Sequence, residues 1–191
     1  MTVASGVEMS DQIDLAYMHQ ALDLARRGYY TTSPNPRVGC VIVKDGQVVG
    51  TGFHARAGQP HAEIHALNAA GDQARGADVY VTLEPCAHQG RTPACADALI
   101  AAGVGRVISA VTDPNPKVAG QGHARLRAAG IEVITDVARQ QAEEINRGFL
   151  KRFACKRPWV TVKLAQSLDG KGALTDGRSQ WITGSAARED V

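Results

Sequence analysis

Three side chains that bind zinc well are spaced so that a fold has to bring them together. His61 follows a proline where a helix is predicted to begin, and Cys86 follows Pro85 at the end of a strand-like apolar run. Cys95 comes nine residues later, where another helix is predicted to begin. One neutral imidazole and two thiolates are a ligand set that Zn²⁺ prefers. We therefore expect two helix starts and one strand end to meet around a single metal ion.

A carboxylate lies close in sequence to the first of these zinc ligands. Glu63 lies two residues after His61, and on a helix that spacing turns the side chains about 200° apart. Glu63 is therefore not needed as a fourth ligand. Zinc with three protein ligands keeps a position for water and lowers the pKa of that water to about 7–9. In the first turn of a helix Glu63 can face the water and move its protons, which makes it the catalytic candidate.

Plainer interpretations exist for the same residues. A histidine at a helix start is commonly a surface residue, and an isolated cysteine is commonly a small buried hydrophobe. The segment His-Ala-Glu-Ile-His is also similar to the histidine pair of a metalloprotease, but there the glutamate directly follows the first histidine. A purely structural zinc would need a fourth ligand. The candidates for that ligand are Cys40, His54, His65 and His88.

Composition limits the kinds of partner. The net charge is +2 and charged residues make up 21%, so no overall field attracts nucleic acid or a membrane surface. We see neither a signal peptide nor an apolar run long enough to span a membrane. The four cysteines are too few and too scattered for a disulfide framework. We therefore expect a chain that works in the reducing cytoplasm.

Hydrophobic periodicity predicts a mixed α/β domain. Residues 1–10 show no periodicity and are predicted to be a tail, and a helix is predicted from Asp11 to a stop at Gly28. Asp45-Gly46 between two β-branched runs predicts a hairpin. From residue 60 to residue 153 predicted helices and strands alternate, which favours parallel strands with crossover helices. The result is a mixed sheet covered by helices on both faces.

A second domain is predicted to begin near Pro158. The segment Trp159–Leu164 alternates like a new strand. About 34 residues follow Arg157, too few to bury a core of their own.

The pattern H-x-E…P-C…C resembles the signature of the zinc deaminases, which hydrolyse an amino group from a pyrimidine or purine ring. Many of them have two residues between the cysteines, whereas this chain has eight. The insert contains His88 and Arg91. A cation so close to the metal favours an anionic substrate such as a phosphate, and the alternative is a solvated loop.

Two further residues are candidates for substrate contacts. Asn35 lies on a proline-flanked loop, and its amide can both donate and accept hydrogen bonds with a sugar hydroxyl or a ring edge. An Asx-turn before a strand is the alternative. His54 is close to His61 in the sequence and is therefore expected near the metal. The alternative interpretation is that His54 caps a helix or is simply buried.

Longer motifs resemble one family in detail. They read P-N-P-x-V-G-C-V-I-V, G-x-H-x-x-x-G-x-P-H-A-E, V-T-L-E-P-C-x-H-x-G-R-T-P-x-C, D-P-N-P-x-V-A-G-x-G, and K-L-A-x-S-L-D-G-K followed by S-Q-W-I-T. Over residues 11–191 they are similar to the bifunctional deaminase/reductases of riboflavin biosynthesis. The resemblance implies a three-layer α/β/α cytidine-deaminase-like domain with a mixed five-stranded sheet at residues 11–155. It also implies, at residues 158–191, the truncated start of a reductase domain of dihydrofolate-reductase-like fold.

The resemblance also implies an activity. It is the zinc-dependent hydrolytic deamination of 2,5-diamino-6-(5-phosphoribosylamino)pyrimidin-4-one, with NADPH-dependent reduction of the product expected only in a full-length chain. Its zinc ligands correspond to His61, Cys86 and Cys95, and its proton carrier corresponds to Glu63. Its substrate contacts correspond to Asn35, His54, His88, Arg91 and Ser179, and its NADP contacts to Ala165 and Trp181. The family suggests a homo-oligomer, a dimer or a tetramer.

Two other functions compete with this one. A nucleic-acid deaminase acting on tRNA adenosine would receive a flipped base, but near-neutral charge and 5% aromatic residues argue against a nucleic-acid stacking surface. The basic segment Lys151–Arg157 is interpreted as a solvated face. The third function is a structural-zinc interaction module. The expected partner is a small phosphoribosylated pyrimidine, with neither nucleic acid nor membrane.

Overall fold

The computed structural model describes residues 4–88, 94–116 and 118–190. The chain divides into two units, Met1–Pro158 and Trp159–Val191. The elements of the first unit, in chain order, are α1 (Ala4–Arg26), β1 (Gly39–Lys44), β2 (Gln47–Phe53), α2 (Ala62–Ala70) with a 3₁₀ turn (Gly71–Ala74), β3 (Asp78–Val81), α3 (Cys95–Ala102), β4 (Arg106–Ser109), α4 (Gln121–Ala128), β5 (Glu132–Ile134) and α5 (Arg139–Cys155).

The five strands form one mixed sheet in the order β2-β1-β3-β4-β5. The hairpin strand β1 is antiparallel to both of its neighbours, whereas β3, β4 and β5 run parallel. The predicted hairpin and the predicted parallel strands with crossover helices are therefore confirmed.

Helices cover both faces of this sheet. Alternate residues of β1 point to opposite sides: Cys40 and Ile42 pack in one core with α2, α3 and α4, while Val41 and Val43 pack in a second core with α1 and α5. This alternation is the period-2 pattern of a strand buried on both faces. The three-layer α/β/α architecture is confirmed.

Two glycines let the start of α2 lie directly against the sheet. A Cβ on Gly52 would stand 2.3 Å from the carbonyl oxygen of Ala62, and a Cβ on Gly50 would stand 2.3 Å from that of Ala66. Real side chains cannot come so close, so only glycine permits this approach. This contact fixes the distance between the first turn of α2 and the sheet. Helix α2 begins immediately after His61.

The N-terminal prediction was wrong in one respect. Helix α1 begins at Ala4 instead of Asp11, so residues 4–10 are not a tail. Once a helix is nucleated, each added residue gains one backbone hydrogen bond. The added residues therefore need no apolar stripe of their own. Periodicity therefore did not reveal the added turns.

The predicted strand at Trp159–Leu164 is also wrong. The described residues 159–190 contain no strand, and the single helix among them is α6 (Ser185–Glu189). None of these residues is buried. An alternating segment becomes a strand only when another strand pairs with it, and these residues contain no such partner.

Over the part of the chain that is described, no helix is long and apolar enough to cross a membrane.

Candidate zinc centre and active site

Three different elements carry the predicted metal ligands. His61 is the residue immediately before α2, Cys86 lies in the loop after β3, and Cys95 is the first residue of α3. The His61 Nδ1 atom lies 3.1 Å from the Cys95 Sγ atom and 3.7 Å from the Cys86 Sγ atom. The fold therefore brings the three side chains together, as the sequence predicted.

These donors fit zinc. The three ligand atoms lie within 4.8 Å of one another, and a tetrahedral zinc with bonds of about 2.0–2.3 Å needs ligands about 3.3–3.8 Å apart. Within the described ranges no fourth histidine, cysteine or carboxylate joins the group. Cys40 belongs to the core beside α2, and the Nε2 atom of His65 is buried without a hydrogen-bond partner. The described residues thus supply neither a structural four-ligand site nor a protease-type histidine pair.

Contacts among the three ligands shift their pKa values in different directions. The pKa of Cys86 is lowered to about 4, chiefly by the hydrogen bond with the Cys95 thiol and also by His61. The backbone N–H of Cys95, at the start of α3, lies 3.3 Å from the Cys86 sulfur and stabilises the thiolate further. The same interactions raise the pKa of Cys95 and of His61, each mainly through its hydrogen bond with Cys86. Zinc binding releases the protons that these groups share.

Glu63 lines the same cavity as His61. It is the second residue of α2 and only 3% of its surface is exposed. Burial raises the pKa of its carboxyl group, while His61 opposes the shift. A carboxyl whose pKa is raised towards neutrality can both accept and return a proton.

Asn35 and His54 form a hydrogen-bonded pair at the wall of the cavity. The Asn35 Nδ2 atom lies 3.1 Å from the His54 Nε2 atom, and the His54 Nδ1 atom lies 3.1 Å from the Pro60 carbonyl oxygen. An amide nitrogen can only donate and a carbonyl can only accept, so these contacts fit a neutral His54 with its proton on Nδ1. Burial lowers the pKa of His54, in agreement with the neutral form.

A cavity of about 600 Å³ opens over the metal ligands. Most of the predicted deaminase residues line it: Asn35, His54, His61, Glu63, Cys86 and His88. Cys95 is completely buried behind them. Arg91 lies outside the described residues. Ala165, Ser179 and Trp181 belong to the second unit and are exposed.

The sequence reasoning missed several residues of the cavity wall. Asp113 and Asn115 line it, although neither residue of the Asp-Pro-Asn-Pro motif was assigned a functional role from the sequence. Phe149 and Arg152, near the end of α5, also line it, although the basic end of this helix had been interpreted as a solvated face. For Asp113 and Asn115, the motif itself was a signal that could have been used. For Phe149 and Arg152 no such signal exists, because helical periodicity does not show which end of a helix reaches a cavity.

Glu84 was also missed. It precedes the Pro85-Cys86 pair, is only 4% exposed and accepts hydrogen bonds from several backbone N–H groups. The donors are Asp113 (3.1 Å), Gly120 (2.9 Å), Gly122 (2.8 Å) and His123 (3.4 Å). These four backbone donors satisfy both oxygens of the buried side chain. Glu84 thereby ties the cavity-lining segment around Asp113 to the loop that carries Cys86.

Comparison with known proteins identifies the class to which this fold and site belong. The family described as "Cytidine and deoxycytidylate deaminase zinc-binding region" matches residues 11–111, just over half of the chain. The chain therefore belongs to this family of zinc-binding deaminases. A second family, the RibD C-terminal domain, matches residues 158–191.

The similar proteins are more specific. The riboflavin biosynthesis protein RibD of Escherichia coli K12 is 59% identical over 178 residues, which cover 93% of this chain and 48% of that protein. The structure of Acinetobacter baumannii RibD, form 1, matches with a TM-score of 0.88 and 57% identity, over 94% of this chain and 51% of that one. A diaminohydroxyphosphoribosylaminopyrimidine deaminase/5-amino-6-(5-phosphoribosylamino)uracil reductase from Thermotoga maritima matches with a TM-score of 0.89 and 40% identity, over 95% and 52%.

These matches confirm the resemblance and the fold class predicted from the motifs. The chain spans about half the length of the relatives it matches.

Proposed function

We propose that this chain hydrolytically removes an amino group from 2,5-diamino-6-(5-phosphoribosylamino)pyrimidin-4-one, a step of riboflavin biosynthesis. The observation that carries the proposal is the buried Glu63 in one cavity with His61 and Cys86, next to Cys95. The similarity to RibD proteins supports this substrate in preference to others of the deaminase family.

In this mechanism His61, Cys86 and Cys95 would hold a zinc ion, which would lower the pKa of a water molecule and so supply a nucleophile near neutral pH. Glu63 takes a proton from this water as the oxygen bonds to the ring carbon. It then gives a proton to the amino group, which leaves as ammonia when the carbon–nitrogen bond breaks. Burial raises the pKa of Glu63, which makes its carboxylate a stronger base for accepting the proton of the water.

The other cavity residues bind and orient the substrate. The bond to His54 uses one N–H of the Asn35 amide, and the remaining N–H and oxygen suit a sugar hydroxyl or a ring edge. His88 is exposed at the rim. We assign it, together with Arg91, to substrate contact, as the sequence predicted.

The remaining assignments follow from the family. Residues 11–155 form the deaminase domain and residues 158–191 begin a reductase domain. In a full-length chain that domain uses NADPH, which Ala165 and Trp181 contact, and Ser179 contacts the reductase substrate. The protein acts on a small molecule in the cytoplasm as a homo-oligomer, and not on nucleic acid.

A Glu63→Gln substitution tests the mechanism. Glutamine fills nearly the same space but cannot carry the proton, so we expect ammonia release from the substrate to fall by a factor of about 10²–10⁴. Zinc content, measured by atomic absorption, should stay at the wild-type value because Glu63 is not a ligand.

The outcomes separate the competing functions. Loss of zinc from the Glu63→Gln protein would show that Glu63 acts on the metal site and not as a proton carrier. A wild-type protein that binds zinc but releases ammonia from no pyrimidine would favour a structural-zinc module. Ammonia release from an adenosine-containing RNA stem-loop, but not from the pyrimidine, would favour a nucleic-acid deaminase.

A further inference from the structure

The last two turns of α5 form one wall of the active-site cavity. Phe149, Arg152 and Phe153 all line it, on the part of the helix that follows a kink at Asn146. Phe149 and Phe153 pack edge to face, with ring centroids 5.0 Å apart. This wall therefore presents two aromatic rings and a guanidinium group to whatever fills the cavity.

The charges of the cavity are unevenly distributed. Glu63, Glu84 and Asp113 bring three carboxyl groups to its lining. Among the described lining residues Arg152 is the only lysine or arginine. A dianionic phosphate would be repelled by the carboxylates and attracted to the arginine.

The charge of Arg152 is available for a ligand. The two other arginines of α5 are engaged with carboxylates: Arg139 pairs with Glu143 and Arg147 pairs with Glu144. Arg152 is exposed and forms no ion pair with a described carboxylate; the Phe153 ring, 5.7 Å from its guanidinium carbon, is its ring contact. A planar guanidinium group binds phosphate through two parallel hydrogen bonds, which suits it to this task.

We propose that Arg152 binds the phosphate of the substrate and so makes the site selective for a phosphorylated pyrimidine over the same compound without phosphate. This inference rests on the proposed function and adds a specificity-determining residue to it.

A merely structural role for Arg152 leads to a different result. A cation in the last turn of a helix also stabilises the helix end by interacting with its dipole. Removing such a cation would loosen α5 and disturb both substrates equally, whereas removing a phosphate contact disturbs only the phosphorylated one.

The experiment compares kcat and KM of the complete chain for the phosphorylated substrate and for its dephosphorylated riboside. In Arg152→Ala we expect kcat/KM for the phosphorylated substrate to fall about 10–100-fold, mainly through KM, because a hydrogen bond to a charged group contributes this much. The riboside should change less than twofold. Arg152→Lys, which keeps the charge, should recover part of the loss. Arg147→Ala on the same helix is the matched control and should leave both substrates unchanged.

An equal fall for both substrates, or no fall, would overturn the proposal. A wild-type chain that releases no ammonia would contradict the proposed function itself. Calorimetric titration with ribose 5-phosphate then decides the role of Arg152 separately: weaker binding by Arg152→Ala than by wild type supports the phosphate contact, and equal or absent binding in both proteins refutes it.

Discussion

Asp113 is a carboxyl group whose ionisation is opposed by the fold. It is only 8% exposed, and its pKa is raised to about 6 from 3.8, first by burial and also by the charge of Glu84. The backbone N–H of Asn115 donates to it at 2.8 Å and limits the shift. The segment that lines the cavity therefore contains a group that changes charge just below neutral pH.

We expect Asp113→Asn to stabilise the protein in a pH-dependent way. The folded pKa lies above the unfolded value, so the wild-type protein loses stability as pH rises from about 4 to above 6, while the asparagine keeps the oxygen that accepts from Asn115. The variant should match wild type near pH 4 and exceed it by about 1–3 kcal/mol at pH 8. Urea unfolding of both proteins at equal zinc concentration measures the difference. A gap that stays constant with pH would show that Asp113 does not titrate in this range.

At the scale of elements, Asn146 joins α5 to the loop that carries Asn35. It is 3% exposed, and its side chain makes two hydrogen bonds with the backbone of Arg37: the amide oxygen accepts from the N–H at 2.8 Å and the amide nitrogen donates to the carbonyl at 2.7 Å. The guanidinium group of Arg37 in turn donates to the Ile145 carbonyl at 2.7 Å. The kink in α5 thus coincides with the hydrogen bonds that hold the loop carrying Asn35.

Asn146→Ala should destabilise the protein by about 2–4 kcal/mol, because it leaves two part-buried backbone groups without partners. Asn146→Asp places an acceptor-only carboxylate oxygen against the Arg37 carbonyl oxygen in a buried position, so its loss should be at least as large. The exposed Glu144→Ala on the same helix should change the unfolding free energy by less than about 0.5 kcal/mol. Urea denaturation monitored by circular dichroism gives these values, and an Asn146→Ala protein as stable as wild type would contradict the stabilising role of these hydrogen bonds.

The sequence predicted those parts of the molecule that depend on short-range patterns. The turn at Asp45-Gly46 has a local signal, and the ligands His61, Cys86 and Cys95 have a recognisable spacing. Glu84 and Asn146 contact partners 29 to 109 residues away in the chain, and the role of Arg152 depends on where a helix end points. Periodicity contains no information about such contacts, so only the folded structure reveals them.

At the scale of the whole molecule, the buried hydrophobic residues lie in the first of the two units. Both hydrophobic cores lie between Met18 and Ile145. In the second unit the large apolar side chains are exposed, for example Val160 and Val162 at 73%, Leu164 at 74% and Trp181 at 69%. The free energy of folding therefore comes mainly from the first unit, whereas the second unit leaves its large apolar side chains exposed.

A chain that ends at Pro158 should consequently keep the deaminase fold. We expect it to unfold in one cooperative transition, with a midpoint within about 3 °C of that of the full 191-residue chain and with one zinc per chain, because every core residue and every metal ligand is retained. It should bind less of the dye ANS than the full chain, since the exposed apolar residues of the second unit are gone. Differential scanning calorimetry and ANS fluorescence measure both properties. A broad, non-cooperative transition in the shorter chain would show instead that residues 159–191 are part of what holds the deaminase fold together.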